Sequence, residues 1–135
     1  MFSQADTNVL RGLQGKALKS VFLKAYSANK VGRQLRFDTV ALVFDLGWIE
    51  ITVDENTDQL LLQFGNSTYP NQQNDVLPGI FNDLIGETLG WIWVAKNDRG
   101  YHDMVAISFS GPIPELAFCG IASDIAVLQM DELLA

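Results

Sequence analysis

The sequence predicts an α+β protein. It reads as two tandem repeats of a short helix followed by an antiparallel β-meander, forming one curved antiparallel sheet or half-barrel with the helices packed on it. Three observations predict this. Phe37-Asp38-Thr39-Val40-Ala41-Leu42-Val43-Phe44 returns 65 residues later as His102-Asp103-Met104-Val105-Ala106-Ile107-Ser108-Phe109, with Asp, Val, Ala and Phe at matching places. Both copies alternate apolar with polar or small residues, the period of a strand with one buried face. At an offset of 71, Leu13 and Gly15 align with Leu84 and Gly86, Leu18 with Leu89, and Val21 with Ile92. A lone unit of one helix and four strands hardly buries its apolar face, so two are expected to cover each other within a single domain. The repeats fall at about 1–64 and 75–135, joined by a polar linker over 65–74.

In the first half, Asp6 or Thr7 caps a short helix that runs to Leu13 and stops at Gly15. A strand from Lys16 to Ala25 follows, with Val21, Leu23 and Ala25 on one face. Residues 27–33 read as a hairpin loop, and one continuous return strand runs from Leu35 to Leu46. After Gly47, the run Trp48–Asp54 points Ile49, Ile51 and Val53 inward. Residues 54–58 are turn chemistry before a strand over Leu60–Phe64.

The second half opens with a helix over Leu77–Ile85, with Asp75 near its start, Pro78 in its first turn and Gly86 as its stop. Strands are expected over Glu87–Lys96, from His102, over Glu115–Ile121 and over Asp124–Met130. Asn97-Asp98-Arg99-Gly100 forms the tight turn between the first two, and Pro112 and Pro114 mark a corner.

Composition narrows the class. The chain has 135 residues, 48% of them hydrophobic, which supplies ample core material for a globular protein. No apolar run reaches the roughly 18–20 residues that cross a bilayer, and the N-terminus lacks a signal-peptide layout. The single cysteine, Cys119, excludes an internal disulfide and suits a reducing compartment, so a cytoplasmic protein is expected. Residues 1–36 carry seven bases and one acid, whereas residues 37–135 carry two bases and fifteen acids. That asymmetry suits steering of a partner or head-to-tail self-contact, or simply a lysine-rich solvated hairpin.

Chemistry is sparse. Asp54-x-Asn56-x-Asp58 begins like a calcium loop, but Gln59 stands where Gly is required and Gly65 where a bidentate Glu belongs. His102, Asp103, Cys119 and Asp124 have the residue types of a thiol nucleophile with its base, but nothing in their spacing enforces contact. One histidine is too few for a zinc site. Asp38 and Asp103 share the strand parity of inward valines and phenylalanines, which allows either a proton-sharing pair or two separately bonded strand-opening acids. A pI near 4.4 argues against nucleic acid despite Lys24, Lys30, Arg33 and Arg36 around Tyr26 and Phe37. No phosphate loop, nucleophile elbow or dinucleotide fingerprint occurs, and no cofactor is implied. Trp91 and Trp93 share one face of their strand, opposite Ile92 and Val94. That second apolar face requires the other half, a second subunit or a ligand to cover it.

The run Leu89-x-Trp91-x-Trp93, Asn97-x-x-Gly100-Tyr101-x-Asp103 and Phe109 resembles an uncharacterised bacterial family of small acidic α+β proteins. Some similar proteins occur in settings that suggest immunity to bacterial toxins. The resemblance implies no catalytic residues. Together these readings point to a protein that works by binding a protein partner or by homodimerising, presenting an acidic surface to a basic partner, with no role for nucleic acid or membrane. The interaction residues expected are Trp91, Trp93, Asn97, Tyr101, His102 and Asp103. The alternative is a small-ligand binder or minor enzyme with its pocket near Tyr101, His102 and Asp103.

Overall fold

The segment expected as one return strand serves two sheets. In the computed structural model, which describes residues 4–24, 35–71, 77–96, 102–121 and 124–130, it splits into β2 (Leu35–Phe37) and β3 (Thr39–Phe44). Phe37 pairs with Ile125 in one sheet, and Thr39 pairs with Lys24 and Thr52 in the other. Asp38 sits at the crossing. Its backbone N–H donates to the Lys24 carbonyl at 2.7 Å, and its carboxylate meets Lys24 Nζ at 3.3 Å. A strand that changes sheets at a bend is a known way to make the corner between two packed sheets.

The other elements are α1 (Gln4–Leu13), β1 (Ser20–Lys24), β4 (Gly47–Val53), β5 (Leu60–Gly65), α2 (Gly79–Asn82), β6 (Leu89–Lys96), β7 (His102–Phe109), β8 (Pro114–Ile121) and β9 (Asp124–Gln129). A four-stranded sheet has the order β1-β3-β4-β5, and a five-stranded sheet the order β2-β9-β8-β7-β6. Every pairing is antiparallel.

The expected α+β class is therefore corrected to a mostly β protein with two separate antiparallel sheets. It is not a tandem of helix-plus-meander units, nor one curved sheet or half-barrel. The reasons are physical. Helices of ten and four residues offer too little surface to cover nine strands, so each sheet buries its apolar face against the other. The inner face of the first sheet supplies Val21, Val40, Leu42, Ile49, Ile51 and Leu60 to one buried cluster. The second supplies Leu89, Val105, Ile107, Phe109, Leu116, Phe118, Ile125 and Val127 to the same cluster. β2 also leaves the first half to become an edge of the second sheet.

Helix lengths differ from expectation in opposite directions. α1 begins at Gln4, before the expected cap, and places Leu13 in the core. α2 shrinks to a single turn with Pro78 as its N-cap residue, while Asp75 lies outside the described residues. Gly15 and Gly86 take positive φ of 83° and 92°, the left-handed conformation that ends a helical turn without a Cβ penalty.

The segments after these glycines pair with each other. Gly15 N–H donates to Leu89 C=O at 2.8 Å and Leu89 N–H to Lys16 C=O at 2.9 Å. Gly86 N–H donates to Leu18 C=O at 2.8 Å and Leu18 N–H to Glu87 C=O at 2.9 Å. An antiparallel bridge between Ala17 and Thr88 lies between them. These bonds tie the start of β6 to the chain just before β1.

The stretch expected as a polar linker holds a buried anchor. Tyr69 is only 4% exposed and packs on the outer face of the four-stranded sheet with Ala41, Val43, Phe22 and Trp48. No described helix is long and apolar enough to cross a membrane.

Candidate protein-binding cleft and tryptophan edge

Two strands and the end of a helix form a cleft of about 380 Å³. Its apolar lining is Ile80 from α2, Leu84 from the turn after it, and Ile113, Pro114 and Leu116 at and before the start of β8. Asp83, Glu87 and Glu115 bring three carboxylates, Gln129 adds an amide from β9, and no lysine or arginine is among the described lining residues. Local backbone structure places two of the acids, and β8 carries the third, Glu115. Asp83 closes α2, its N–H donating to Gly79 C=O at 3.0 Å. Glu87 follows Gly86, its N–H donating to Leu84 C=O at 2.9 Å. The Ser110 hydroxyl donates to the Glu87 carboxylate. Thr88 N–H donates to the same hydroxyl oxygen at 3.2 Å, and Ser110 N–H donates to Thr88 C=O at 2.7 Å. Ile113 is 69% exposed at the rim. An apolar floor with a rim of carboxylates suits long cationic side chains, whose methylene stems lie on apolar surface while the charged head reaches the acids.

Trp91 and Trp93 lie on β6, the edge of the five-stranded sheet, and are 56% and 41% exposed. Ile92 and Val94, on the other face, pack against the core. The face shared by the tryptophans continues inward through Ala106 and Ala117, both buried. Trp91 N–H donates to Ser108 Oγ at 2.7 Å, where β6 carries an extra residue between Leu89 and Ile92.

The remaining expected interaction residues are scattered. Asn97 and Tyr101 lie outside the described residues. His102 opens β7 opposite Lys96. Asp103 is half-buried, and its charge acts on Cys119, whose thiol is pushed up first by burial and then by that carboxylate. A protonated, partly buried thiol is a poor nucleophile. Asp38 engages Lys24, and no contact between Asp38 and Asp103 occurs among the described residues. Asp103 is not among the described residues that line the cleft above or a second one of about 320 Å³ beneath α1. The Asp54–Asp58 stretch is a hairpin turn: Asp54 Oδ1 accepts from Asn56 N–H at 2.9 Å, and Asp58 N–H donates to Asp54 C=O at 2.9 Å.

Sequence reasoning missed two features. The cleft acids stand on three separate segments, and only the surplus of acid after residue 36 hinted at them. Tyr69 donates its hydroxyl to Glu50 Oε2 at 2.6 Å, and Asn71 donates to the Tyr69 hydroxyl at 3.3 Å. Burial, and next the bond to Glu50, push the Tyr69 pKa up to about 12.

A model for a family of unknown function, DUF6334, matches residues 1–133, and the chain belongs to that family. No curated protein and no solved structure matches it.

Proposed function

We propose that this member of a family of unknown function is a binding protein that offers the cleft between α2 and β8–β9 to a basic segment of a protein partner. One observation carries the reading: three carboxylates surround an apolar floor, with no cation among the described lining residues. The net charge of −7 adds a long-range field that speeds encounter with a basic protein and disfavours acidic ones. Neutralising a basic toxin in the cytoplasm is the immunity-like role that such a surface serves. What supports that role is the resemblance carried by the Trp91–Asp103 stretch together with the concentration of acid in residues 37–135. The reading assigns no catalytic residue and needs no cofactor.

The test is a titration of the full chain with a blocked peptide alternating Leu and Arg, with its Glu-for-Arg counterpart as control, followed by methyl NMR. The cationic peptide is expected to shift Ile80 and Ile113 saturably, and the shifts are expected to shrink as salt screens the carboxylates. Equal responses to both peptides, or none from either at millimolar concentration, would overturn the reading.

A further inference from the structure

We infer that the outer face of the first sheet carries a phenol-binding socket, filled in cis by Tyr69, and that residues 66–71 form a latch that leaves it without unfolding the two-sheet core. The inference is independent of the acidic cleft. It rests on how the socket is built. Phe22, Ala41 and Glu50 stand in one cross-strand row of β1, β3 and β4, and Val43 and Trp48 stand in the next. Ala41, fully buried, gives the socket a small floor. Phe22 and Trp48 supply aromatic walls, their ring centroids 5.7 and 5.3 Å from that of Tyr69, with Trp48 edge-on. Glu50 Oε2 accepts the phenolic proton at 2.6 Å. A small apolar slot with one placed acceptor recognises a phenol in preference to a plain benzene ring.

The walls do not depend on the occupant. All five socket residues stand on hydrogen-bonded strands. Trp48 opposes Gly65, where a Cβ would meet the indole at 2.1 Å, so the ring lies against that backbone and the sheet itself holds it. The latch, by contrast, hangs on one side chain. Tyr69 is buried, whereas the rest of residues 66–71 are exposed. No backbone hydrogen bond ties residues 66–70 to another segment among the described residues. Tyr69 clusters with Ala41 and Val43, apart from the main core. Segments with few buried contacts and no ladder bonds open locally, at less than the cost of global unfolding. Tyr69 is thus a built-in competitor that lowers the apparent affinity of the socket for any phenol in solution.

The probe is p-cresol, the tyrosine side chain without its backbone, and toluene is its hydroxyl-free control. Tyr69→Ala in the full chain is expected to fold, with the core methyl resonances of Val105 and Ile107 unmoved. Added p-cresol is expected to shift the Ala41 and Val43 methyls of this variant saturably at about millimolar concentration, and to raise its melting temperature. Toluene is expected to bind several-fold more weakly, since it leaves the Glu50 carboxylate without its donor. The wild type is expected to need at least about tenfold more p-cresol for the same shifts. An unfolded Tyr69→Ala chain, no response to p-cresol, equal responses to p-cresol and toluene, or a wild type that binds as tightly as the variant would each overturn the inference.

Discussion

Beneath α1, Asn8, Val9, Gly12, Leu13, Lys16, Asp45, Leu46 and Asn66 line a cleft of about 320 Å³; beneath α2 lies the acidic one of about 380 Å³. At the 71-residue spacing, Val9 corresponds to Ile80 and Leu13 to Leu84, all apolar. Gly12 corresponds to Asp83, and Lys16 to Glu87. The apolar positions face the same demand, since both helical segments must anchor a leucine in the shared core. The other two positions face water, where Gly12 is neutral against Asp83 and Lys16 opposes Glu87 in charge. Lys16 stands in a cleft where Asp45, the one acid among the described lining residues, is paired with Lys19 at 3.3 Å, while Glu87 stands with two further carboxylates. Two hollows of similar volume thus differ chiefly in the charge of their described lining residues.

The largest expected effect breaks the frame that holds both clefts. A Cβ on Gly120 would meet the Asp58 backbone carbonyl oxygen at 1.8 Å, and that carbonyl belongs to the turn joining β4 to β5. Gly120→Ala must displace backbone, so it is expected to cost about 3 kcal/mol or more in urea denaturation, with both clefts disturbed. Next come the anchors. Leu13 and Leu84 are 4% and 7% exposed, and Leu13→Ala and Leu84→Ala are each expected to cost about 2–4 kcal/mol by the same measurement. A loss confined to one of them would show that the two helical segments are not equivalent in the core.

Tyr69→Phe removes the bond to Glu50 on the outer face of the first sheet and is expected to cost about 1–2 kcal/mol near neutral pH. The sign of its pH dependence is fixed. With its pKa raised from 10.0 to about 12, folded Tyr69 keeps a proton that the unfolded chain has lost. Its contribution is therefore complete below the unfolded value and lost as pH climbs from there through the folded one. Denaturation midpoints across that range should fall more steeply for wild type than for Tyr69→Phe. The smallest effect concerns Cys119. Alkylation by iodoacetamide at mildly alkaline pH is expected to be slower than for a free thiol, and Asp103→Asn should speed it slightly by removing the second of the two causes.

Most strands were legible in the sequence because alternation is a local signal. Ile49 and Ile51 are fully buried on β4, with Trp48 and Glu50 between and beside them less so, as the pattern of Trp48–Asp54 requires. The sheet switch at Asp38 had a signal too, and it was overlooked. Leu35 and Phe37 are apolar at odd positions, whereas Val40, Leu42 and Phe44 are apolar at even ones, so the phase slips across Asp38-Thr39. A strand that stays in one sheet keeps its phase. The choice of two facing sheets over one curved sheet depends on which faces meet, and no single strand encodes that. The shared face of Trp91 and Trp93 followed from alternation against Ile92 and Val94, but its exposure did not, because the sequence left the other half of the chain as a cover for it. The acidic cleft did not follow, because Asp83, Glu87 and Glu115 belong to a helix end, a junction and a strand that only the topology brings together. Tyr69 gave no periodic signal within a polar stretch, although its partner Glu50 stands on a clear strand.

The most direct test of charge as the discriminator is a swap of the two corresponding residues in one chain, Lys16→Glu with Glu87→Lys, followed by methyl NMR with the Leu/Arg peptide. The account predicts that the response weakens at Ile80 and Ile113 and rises at Val9 and Leu46. Shifts that remain at Ile80 and Ile113 with unchanged affinity would contradict it.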